Sequence, residues 1–588
     1  MDSKHVTEST SGQEDIQKTW WKEAIIYQIY PRSFQDSDGD GIGDLNGITS
    51  RLDYIQSLGV DIIWLNPIFL SPNDDNGYDI SDYREIMREF GTMEDFDRLL
   101  KEIHKREMRL VLDLVVNHTS DEHPWFEEAR KSRHNPYYNY YHWWPAEKGE
   151  PPLRLSYFDE EGNAWMYNKP TDSYYLHYFS RKQPDLNWEN PEVRQEIFDM
   201  MRFWFDKGID GFRMDSISLI AKDPSFPLID SKKYPDIFSF YAKEPRLHLY
   251  LHEMNRQVLS KYDCMSVGEG SAVMVDDVAK FVDPAREELN MLYHFDAARI
   301  RNTTLPDNPE SGIDYSLIAL KKMFTEWDKA VDKGWPSIYL GNHDQPRMVS
   351  RFGSDKDEFR ALSAKMLITF LLTMRGTPYW FAGDEIGMRN IRFDRIEDYN
   401  DIDTINRYKK AKAEGKDPQA VLDEQKETGR DNARTPFQWD RSPETGFTAG
   451  TPWLKVNPDY TWINVADEEK DPTSILNYFK KVVSFRKENP SLIYGSYHLL
   501  DAENPQSYTF LRKTGADTYL IMLNFSPKAA ISTPGIDMSN AHVLLDNYGD
   551  RSHMAPQKDI TLRPFEAIVF QLNHPVYESF IDSLDLLE

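Results

Sequence analysis

The segment DFDRLLKEIHKREMRLVLDLVVNH, residues 95–118, joins a helical pattern directly to an apolar strand pattern. Its first half places apolar side chains on one face of a helix: Phe96, Leu99, Leu100 and Ile103. Its second half, residues 109–118, is mostly apolar, as a parallel strand buried on both faces should be. A helix followed at once by such a strand is the repeating unit of a parallel α/β fold.

The same alternation runs along much of the chain. Eight segments have strand character, usually with helical segments between them: 24–31, 61–67, 109–118, 210–216, 265–270, 291–295, 337–344 and 378–385. This pattern predicts either an eight-stranded (β/α)8 TIM barrel or a doubly wound sheet. No G-x-G-x-x-G motif follows the first strand, which disfavours the dinucleotide-binding sheet. We therefore predict the barrel, built from residues 1–118 and 189–495.

Two parts of the chain depart from the alternation. Residues 119–188 are rich in Tyr, Trp, His and Pro without sustained helical periodicity, which predicts an irregular domain inserted after the third strand. Its aromatic residues suit either an interdomain core or a wall of the binding cleft. Residues 496–574 show short alternating strands, which predict a C-terminal antiparallel β domain, and residues 575–588 form a tail.

Composition and charge exclude several classes of function. The formal charge of −28 on 588 residues argues against nucleic acids and anionic membranes as partners, because both require basic patches. A single cysteine, Cys264, allows no internal disulfide and favours a reducing compartment. With no signal peptide or membrane span in view, we expect a cytoplasmic protein, or a periplasmic one if a leader was removed. Monomer and dimer both remain open.

Polar side chains cluster where the predicted strands end. These positions are Asn117-His118, Arg213 and Asp215, Glu269, and His343-Asp344. A lone Asp after a strand is usually a helix cap, but several such endings in one barrel are better explained by a shared site. Paired carboxylates at one mouth, without a phosphate loop or a nucleophilic serine motif, indicate glycoside cleavage.

The two central carboxyl groups need opposite protonation states for that chemistry. Arg213 lies two residues before Asp215 and would keep that carboxylate ionised by pairing with it. Glu269 lies between glycines, where burial could raise its pKa and keep it protonated. Asp215 is thus the candidate nucleophile and Glu269 the candidate acid.

The loop DSDGDGIGDLNG, residues 36–47, begins like a calcium loop of the EF-hand type. The bidentate Glu required at the twelfth position is replaced by Gly47, and a strand pattern rather than a helix precedes the loop. This argues against a calcium sensor. Four aspartates within nine residues still predict a site for a hard cation.

Four motifs resemble the catalytic regions of the α-amylase superfamily: DLVVNH (113–118), GFRMDS (211–216), SVGEG (266–270) and YLGNHDQPR (339–347). The resemblance extends to residues 20–34, 71–83, 182–188 and 429–439. Within the superfamily, the sequence is most similar to oligo-1,6-glucosidases, α-glucosidases and sucrose isomerases.

The resemblance implies a role for each matching residue. Asp215 corresponds to the nucleophile, Glu269 to the general acid/base and Asp344 to the third catalytic carboxylate. The implied substrate-binding residues are Asp75, Tyr78, His118, Phe179, Arg213, His343 and Arg430. Among these, Asp75 and Tyr78 would close the non-reducing end of the pocket, with Arg430 paired to Asp75, so the enzyme would act on chain ends. The resemblance also implies a structural Ca²⁺ or Mg²⁺ held by Asp36, Asp38, Asp40, the Ile42 carbonyl and Asp44.

Three positions bear on the exact reaction. Ser216 stands where relatives preferring α-1,6 bonds usually have Val, and Gly270 replaces a larger residue close to the leaving-group side. The stretch at 295–307 keeps Arg299 but lacks the full arginine-rich motif of sucrose isomerases. We therefore expect an exo-acting, retaining α-glucosidase of open linkage preference, with a sucrose isomerase or transglucosylase as the alternative. Non-enzymatic relatives, the transporter heavy chains, carry a membrane span and lack the carboxylates that this chain keeps.

Overall fold

Eight parallel strands form the central sheet. They are β1 (Ile26–Ile29), β2 (Ile62–Leu65), β3 (Arg109–Val115), β4 (Gly211–Asp215), β5 (Met265–Glu269), β6 (Met291–Tyr293), β7 (Ser337–Ile338) and β8 (Thr377–Phe381). The computed structural model describes residues 18–572 except 159–161, 235, 516, 537, 539–540 and 552–557. The predicted tail and residues 573–574 lie outside this range.

The order of neighbouring strands is β6-β5-β4-β3-β2-β1-β8-β7, so only the β6–β7 seam lacks a backbone ladder. Side chains bridge that seam. The Ser337 hydroxyl donates to the Leu292 carbonyl at 2.9 Å, and the Tyr339 hydroxyl donates to the His294 carbonyl at 2.5 Å. The sheet is thus nearly closed, and the predicted barrel is confirmed.

Helices surround the barrel. Those of eight or more residues are Met93–Lys105, Pro191–Lys207, Arg246–Gln257, Asp296–Thr303, Leu317–Ala330, Arg360–Thr373, Ile402–Ala413, Pro418–Thr428 and Ile475–Glu488. The helix at 93–105 begins at a reciprocal Thr92–Asp95 capping box and buries the apolar face predicted from its sequence. The helix at 191–207 begins at the Asn190 cap and ends at Gly208 in the left-handed conformation.

The segment after β3 is more regular than its sequence predicts. It contains a helix at Pro124–Ala129 and an antiparallel sheet of three strands, Trp143–Pro145, Ser173–Leu176 and Trp165–Asn168. Its aromatic residues serve both uses that the sequence left open. Phe126 forms a local core with ring contacts to Tyr141, Trp143 and Tyr175, whereas other aromatic side chains of the segment face the cleft.

The C-terminal part is an antiparallel sheet of five strands, in the order Ser496–Leu499, Ser507–Thr514, Asp517–Asn524, Ala567–Leu572 and His542–Asp546. Two further short strands pair beside it, Ala530–Ser532 and Ile560–Leu562. Across the described ranges, no helix combines the length and apolar character that a membrane crossing needs.

Candidate active site

A cavity of about 850 Å³ opens at the carboxyl ends of the barrel strands. Three carboxylates from different strand ends reach it: Asp215, Glu269 and Asp344. The predicted binding residues Asp75, Tyr78, His118, Phe179 and Arg430 also line it. Arg213 and His343 lie directly behind this lining, where both are buried. The structure therefore brings together all ten residues predicted for catalysis and substrate binding.

Arg213 is the electrostatic centre of the site, with only 1% of its surface exposed. One terminal nitrogen donates to Asp215 Oδ1 and to Asp113 Oδ1, each at 2.7 Å. The other donates to Glu269 Oε2 at 2.6 Å. One guanidinium thus fixes the spacing of both candidate catalytic groups.

The two carboxyl groups differ in proton affinity. Burial raises the pKa of Glu269 to about 8, and Arg213 only partly offsets this because the Asp215 charge acts in the other direction. Burial also raises the pKa of Asp215, but only to about 6, with Arg213 opposing the rise. Near neutral pH the pair therefore carries one proton, held mainly by Glu269. A carboxylate beside a carboxylic acid is the pairing that glycoside cleavage needs.

The backbone between these groups is strained at one position. Ser216 follows Asp215 with a φ of +42°, which is uncommon for a residue other than glycine. Its N–H donates to Glu269 Oε2 at 3.0 Å, so the turn aims a donor at the acid. Gly270 does not line the cavity. A Cβ there would lie 2.8 Å from Leu292 Cδ2 and 2.9 Å from the Tyr293 carbonyl oxygen, so the glycine serves the close approach of β5 to β6.

A buried polar network supports the floor of the pocket. The Tyr78 hydroxyl donates to Asp113 Oδ2 at 3.0 Å and lies 2.7 Å from His343 Nε2. Gln28 donates its amide N–H to His343 Nδ1 at 2.8 Å, so the proton of the neutral ring is on Nε2. Burial holds the pKa of His343 well below its usual value. This histidine is therefore a neutral hydrogen-bond donor near neutral pH.

Asp344 is held in the ionised state. Burial alone would raise its pKa, but the Nε2–H of neutral His343, 3.1 Å from Oδ2, and the charges of Arg430 and Arg434 bring it well below the usual range. Arg434 donates to Asp344 Oδ1 at 2.8 Å, and Arg430 lies 3.3 Å from the same oxygen. This carboxylate can accept hydrogen bonds from sugar hydroxyls without competing for the catalytic proton.

Two residues of the cavity lining form a salt bridge. Arg430 lies 3.4 Å from Asp75 Oδ1, as the resemblance implied, and is anchored through Nε to Asp401 Oδ1 at 2.8 Å. Burial raises the pKa of Asp75 to about 7, with Arg430 opposing the rise. Asp75 and Asp344 thus share one arginine in the cavity wall.

Several residues of the site were missed by sequence reasoning. Asp113 is a buried charged residue in the middle of a mostly apolar strand, and a buried charge indicates a partner such as Arg213. Arg434 lies four residues after Arg430, at the spacing of one helix face. One rim of the cavity is formed by the helices at 402–413 and 418–428. No sequence pattern indicated a role at the site for these helices or for Asp401.

The candidate metal loop brings three of its five predicted ligands together. Asp36, Asp38 and Asp40 offer oxygens that all lie within 4.8 Å of one another. Asp44 is used differently, because its carboxylate accepts the N–H groups of Ser37 and Gly47, both at 2.7 Å, and so caps a helix. The three clustered carboxylates have the hard oxygen donors that Ca²⁺ or Mg²⁺ prefers.

Known proteins are similar to this chain in both sequence and architecture. The profile of the family described as "Alpha amylase, catalytic domain" matches residues 28–495. An oligo-1,6-glucosidase from Parageobacillus thermoglucosidasius is 51% identical over 95% of this chain and 100% of its own length. One from Bacillus cereus is 49% identical with the same coverage. The solved structure of the isomaltulose synthase SmuA from Protaminobacter rubrum has a TM-score of 0.89 and 43% identity, covering 95% of this chain and 100% of its own.

Proposed function

Because this chain belongs to the alpha-amylase family of glycoside hydrolases, we propose that it is an exo-acting, retaining α-glucosidase that releases terminal α-linked glucose from disaccharides or short oligosaccharides. The observation that carries this proposal is the Asp215–Arg213–Glu269 arrangement, in which one guanidinium holds a carboxylate against a carboxylic acid. These groups lie in a cavity whose lining also includes the Asp75–Arg430 salt bridge.

In the proposed first step, Asp215 attacks the anomeric carbon as the glycosidic C–O bond breaks. Glu269 transfers its proton to the departing oxygen, so the leaving sugar departs as a neutral alcohol. The products of this step are a covalent β-glucosyl ester on Asp215 and an ionised Glu269. In the second step Glu269 takes a proton from water, the resulting oxygen attacks the same carbon, and Asp215 is released.

Retention of configuration follows from the spacing of the two groups. An inverting enzyme separates its carboxyl groups by about 6.5–9.5 Å to admit a water, whereas a retaining enzyme holds them about 5–5.5 Å apart. Asp215 and Glu269 accept hydrogen bonds from the two terminal nitrogens of one guanidinium, at 2.7 and 2.6 Å, which favours the shorter spacing. Two inversions, at Asp215 and then at water, give glucose of the α configuration.

The most informative test is a product profile on maltose, isomaltose, sucrose and trehalulose. We expect glucose to be released initially as the α-anomer from at least one glucosyl–glucose disaccharide, because the family resemblance implies a pocket that Asp75 and Arg430 close beyond one terminal residue. Proton NMR of the fresh reaction mixture distinguishes the anomers before they equilibrate. Initial release of β-glucose, or cleavage only within long chains, would contradict the proposal.

Sucrose isomerisation is the second candidate, supported by similarity to the isomaltulose synthase and by Arg299, which lines the cavity. On sucrose it predicts isomaltulose or trehalulose in excess of free glucose. Hydrolysis predicts equal amounts of glucose and fructose. The ratio of these products decides between the two reactions.

We also propose that the loop at residues 36–44 holds a structural Ca²⁺ or Mg²⁺. The loop lies against residues 447–453, since Asp36 accepts a hydrogen bond from the Thr448 hydroxyl and Gly41 accepts one from the Trp453 N–H. An ion that neutralises Asp36, Asp38 and Asp40 would stabilise this junction without contacting the sugar.

Chelation by EDTA is therefore expected to lower the melting temperature by a few degrees, because an ion that binds only the folded state contributes about 2.7 kcal/mol at a hundredfold excess over its Kd. Turnover measured well below the melting temperature should change little. The control is Asp38→Asn, whose melting temperature should no longer respond to EDTA. A loss of turnover without a loss of thermal stability would make the metal catalytic.

The proposed partner is a neutral sugar, and the proposed compartment is the cytoplasm. The acidic charge of −28 suits an uncharged substrate, which requires no electrostatic attraction. The single cysteine, Cys264, is half-buried and forms no disulfide, which is consistent with a reducing compartment. Burial raises its pKa to about 12, so its thiol is a weak nucleophile.

A further inference from the structure

We propose that Lys222 is a positioning residue for this reaction, because it fixes the tautomer of His118 in the pocket through the side chain of Asn117. This inference rests on the proposed function, since His118 would hold the terminal glucose. Lys222 itself does not line the cavity. It follows β4 in the chain and lies behind the pocket wall, fully enclosed.

The chain of contacts is continuous and buried. The Lys222 ammonium donates to Asn117 Oδ1 at 2.6 Å. The Asn117 amide nitrogen donates to His118 Nδ1 at 3.1 Å. His118 Nε2 then lies 3.0 Å from the Tyr78 carbonyl oxygen. Lys222 is 3% exposed, Asn117 0% and His118 1%, so water does not compete for these bonds.

Donor and acceptor chemistry makes this chain directional. A lysine ammonium has no acceptor, so the oxygen of the Asn117 amide must face it. The Asn117 NH₂ group must then point to His118, whose Nδ1 has to be the unprotonated, accepting nitrogen. The proton of the neutral imidazole is therefore on Nε2, on the side of the Tyr78 carbonyl and the pocket.

The protonation state of His118 agrees with this arrangement. Burial lowers the pKa of His118 to about 3, so the ring is neutral near neutral pH and has a single N–H to place. The nearby Gln183 amide nitrogen lies 3.2 Å from His118 Nε2, but it has Asp75 Oδ2, at 3.3 Å, as an acceptor. The Tyr78 carbonyl can only accept, which requires Nε2–H. A sugar hydroxyl that reaches Nε2 would share this N–H with the Tyr78 carbonyl.

Asp185 favours the charged form of the lysine, against the burial that lowers its pKa. Its Oδ2 lies 3.0 Å from Lys222 Nζ, and both side chains are fully buried. Asp185 belongs to the inserted segment, Asn117 lies two residues after β3, and Lys222 lies in the loop after β4. The ion pair thus joins three parts of the pocket wall and aims a lysine, a pure donor, at Asn117.

The test is a double-mutant cycle on kcat/KM for p-nitrophenyl α-glucoside, using Lys222→Met, His118→Ala and the double variant. Lys222→Met should lower kcat/KM by ~10- to 100-fold, the usual effect of losing an outer residue that orients a binding group. In the His118→Ala background the same change should have little further effect, because its target is already absent. Lys222→Arg, which keeps the donor and the charge, should recover part of the activity.

Lys321 provides the matched control. It is also a fully buried lysine, but it donates to the Asn504 carbonyl at 2.8 Å, far from the cavity. Lys321→Met should lower the melting temperature while its effect on kcat/KM adds to that of His118→Ala. Additive effects of Lys222→Met and His118→Ala would overturn the positioning role and leave Lys222 a structural residue only.

Two further measurements apply if Lys222→Met does not fold or if the wild-type protein is inactive on α-glucosides. If Lys222→Met fails to fold, the Lys222→Met/Asp185→Asn variant removes both buried charges, and the cycle is run with it in place of the single variant. If the wild-type protein does not hydrolyse α-glucosides, the proposed function fails. The same cycle is then measured by calorimetry as affinity for 1-deoxynojirimycin, a glucose-shaped inhibitor. Non-additive affinities would still support the role of Lys222, and additive affinities would overturn it.

Discussion

Replacing Asp215 with asparagine is expected to lower kcat on α-glucosides by roughly 10⁴- to 10⁶-fold, the range seen when an essential nucleophile is removed. The amide keeps the shape and one acceptor for Arg213 but cannot attack the anomeric carbon. Thermal stability should stay the same or rise. The raised pKa of Asp215 shows that its charged form is disfavoured in the folded protein, so the neutral amide relieves that cost. Steady-state kinetics and a melting curve on the same preparation measure both effects.

The smaller Asp215→Ala variant gives a stereochemical check. Azide should enter the space that the carboxylate leaves and attack the α-glucoside from the same side, producing β-glucosyl azide. The matched control is Asp113→Asn, which also removes a carboxylate bonded to Arg213 but lies behind the pocket. That variant should not be rescued by azide. Activity of Asp215→Ala without azide would refute its assignment as nucleophile.

The barrel could be predicted from sequence because its strands are buried on both faces and alternate with amphipathic helices. The pattern at 95–118 shows this, since Leu99 and Ile103 face the core and β3 follows at once. The strand ends could be predicted as a site because parallel strands place their carboxyl ends at one mouth. Such features depend on neighbouring residues and are therefore visible in the sequence.

The remaining features depend on contacts between distant parts of the chain. Arg213 meets Glu269 across 56 positions, and Arg430 meets Asp75 across 355. No local pattern fixes such pairs: family resemblance implied the Arg430–Asp75 pair, and the Arg213–Glu269 contact was not predicted at all. The helices at 402–413 and 418–428 contribute residues to the pocket rim, and Asp401, at the start of the first helix, pairs with Arg430 across 29 positions.

Replacing Glu269 with glutamine is expected to have the second-largest effect on catalysis. The variant should lose ~10²- to 10⁴-fold in kcat/KM on maltose-like substrates, whose leaving oxygen needs a proton. It should lose far less on p-nitrophenyl α-glucoside, because nitrophenolate departs without protonation. The amide also keeps an oxygen that can accept from Arg213 and from the Ser216 N–H. Equal losses on both substrates would indicate a disturbed site rather than a missing acid.

The pH profile adds an independent signature of the same group. In the wild type, kcat/KM should rise with pH as Asp215, with a pKa of about 6, loses its proton. It should fall again as Glu269, with a pKa of about 8, loses the proton that the leaving oxygen requires. Because the two groups are coupled, the apparent pKa of each limb of the profile describes the pair and not one residue alone. Glu269→Gln should keep the acid limb and lose the alkaline one.

The configuration of the azide product distinguishes the roles of the two carboxyl groups. In Glu269→Gln, Asp215 still forms the β-glucosyl ester, and azide needs no general base to attack it. The product should be α-glucosyl azide, opposite in configuration to the product of Asp215→Ala. An alkaline limb that persisted in Glu269→Gln, together with β-glucosyl azide as product, would mean that another residue donates the proton and that Glu269 had been assigned the wrong role.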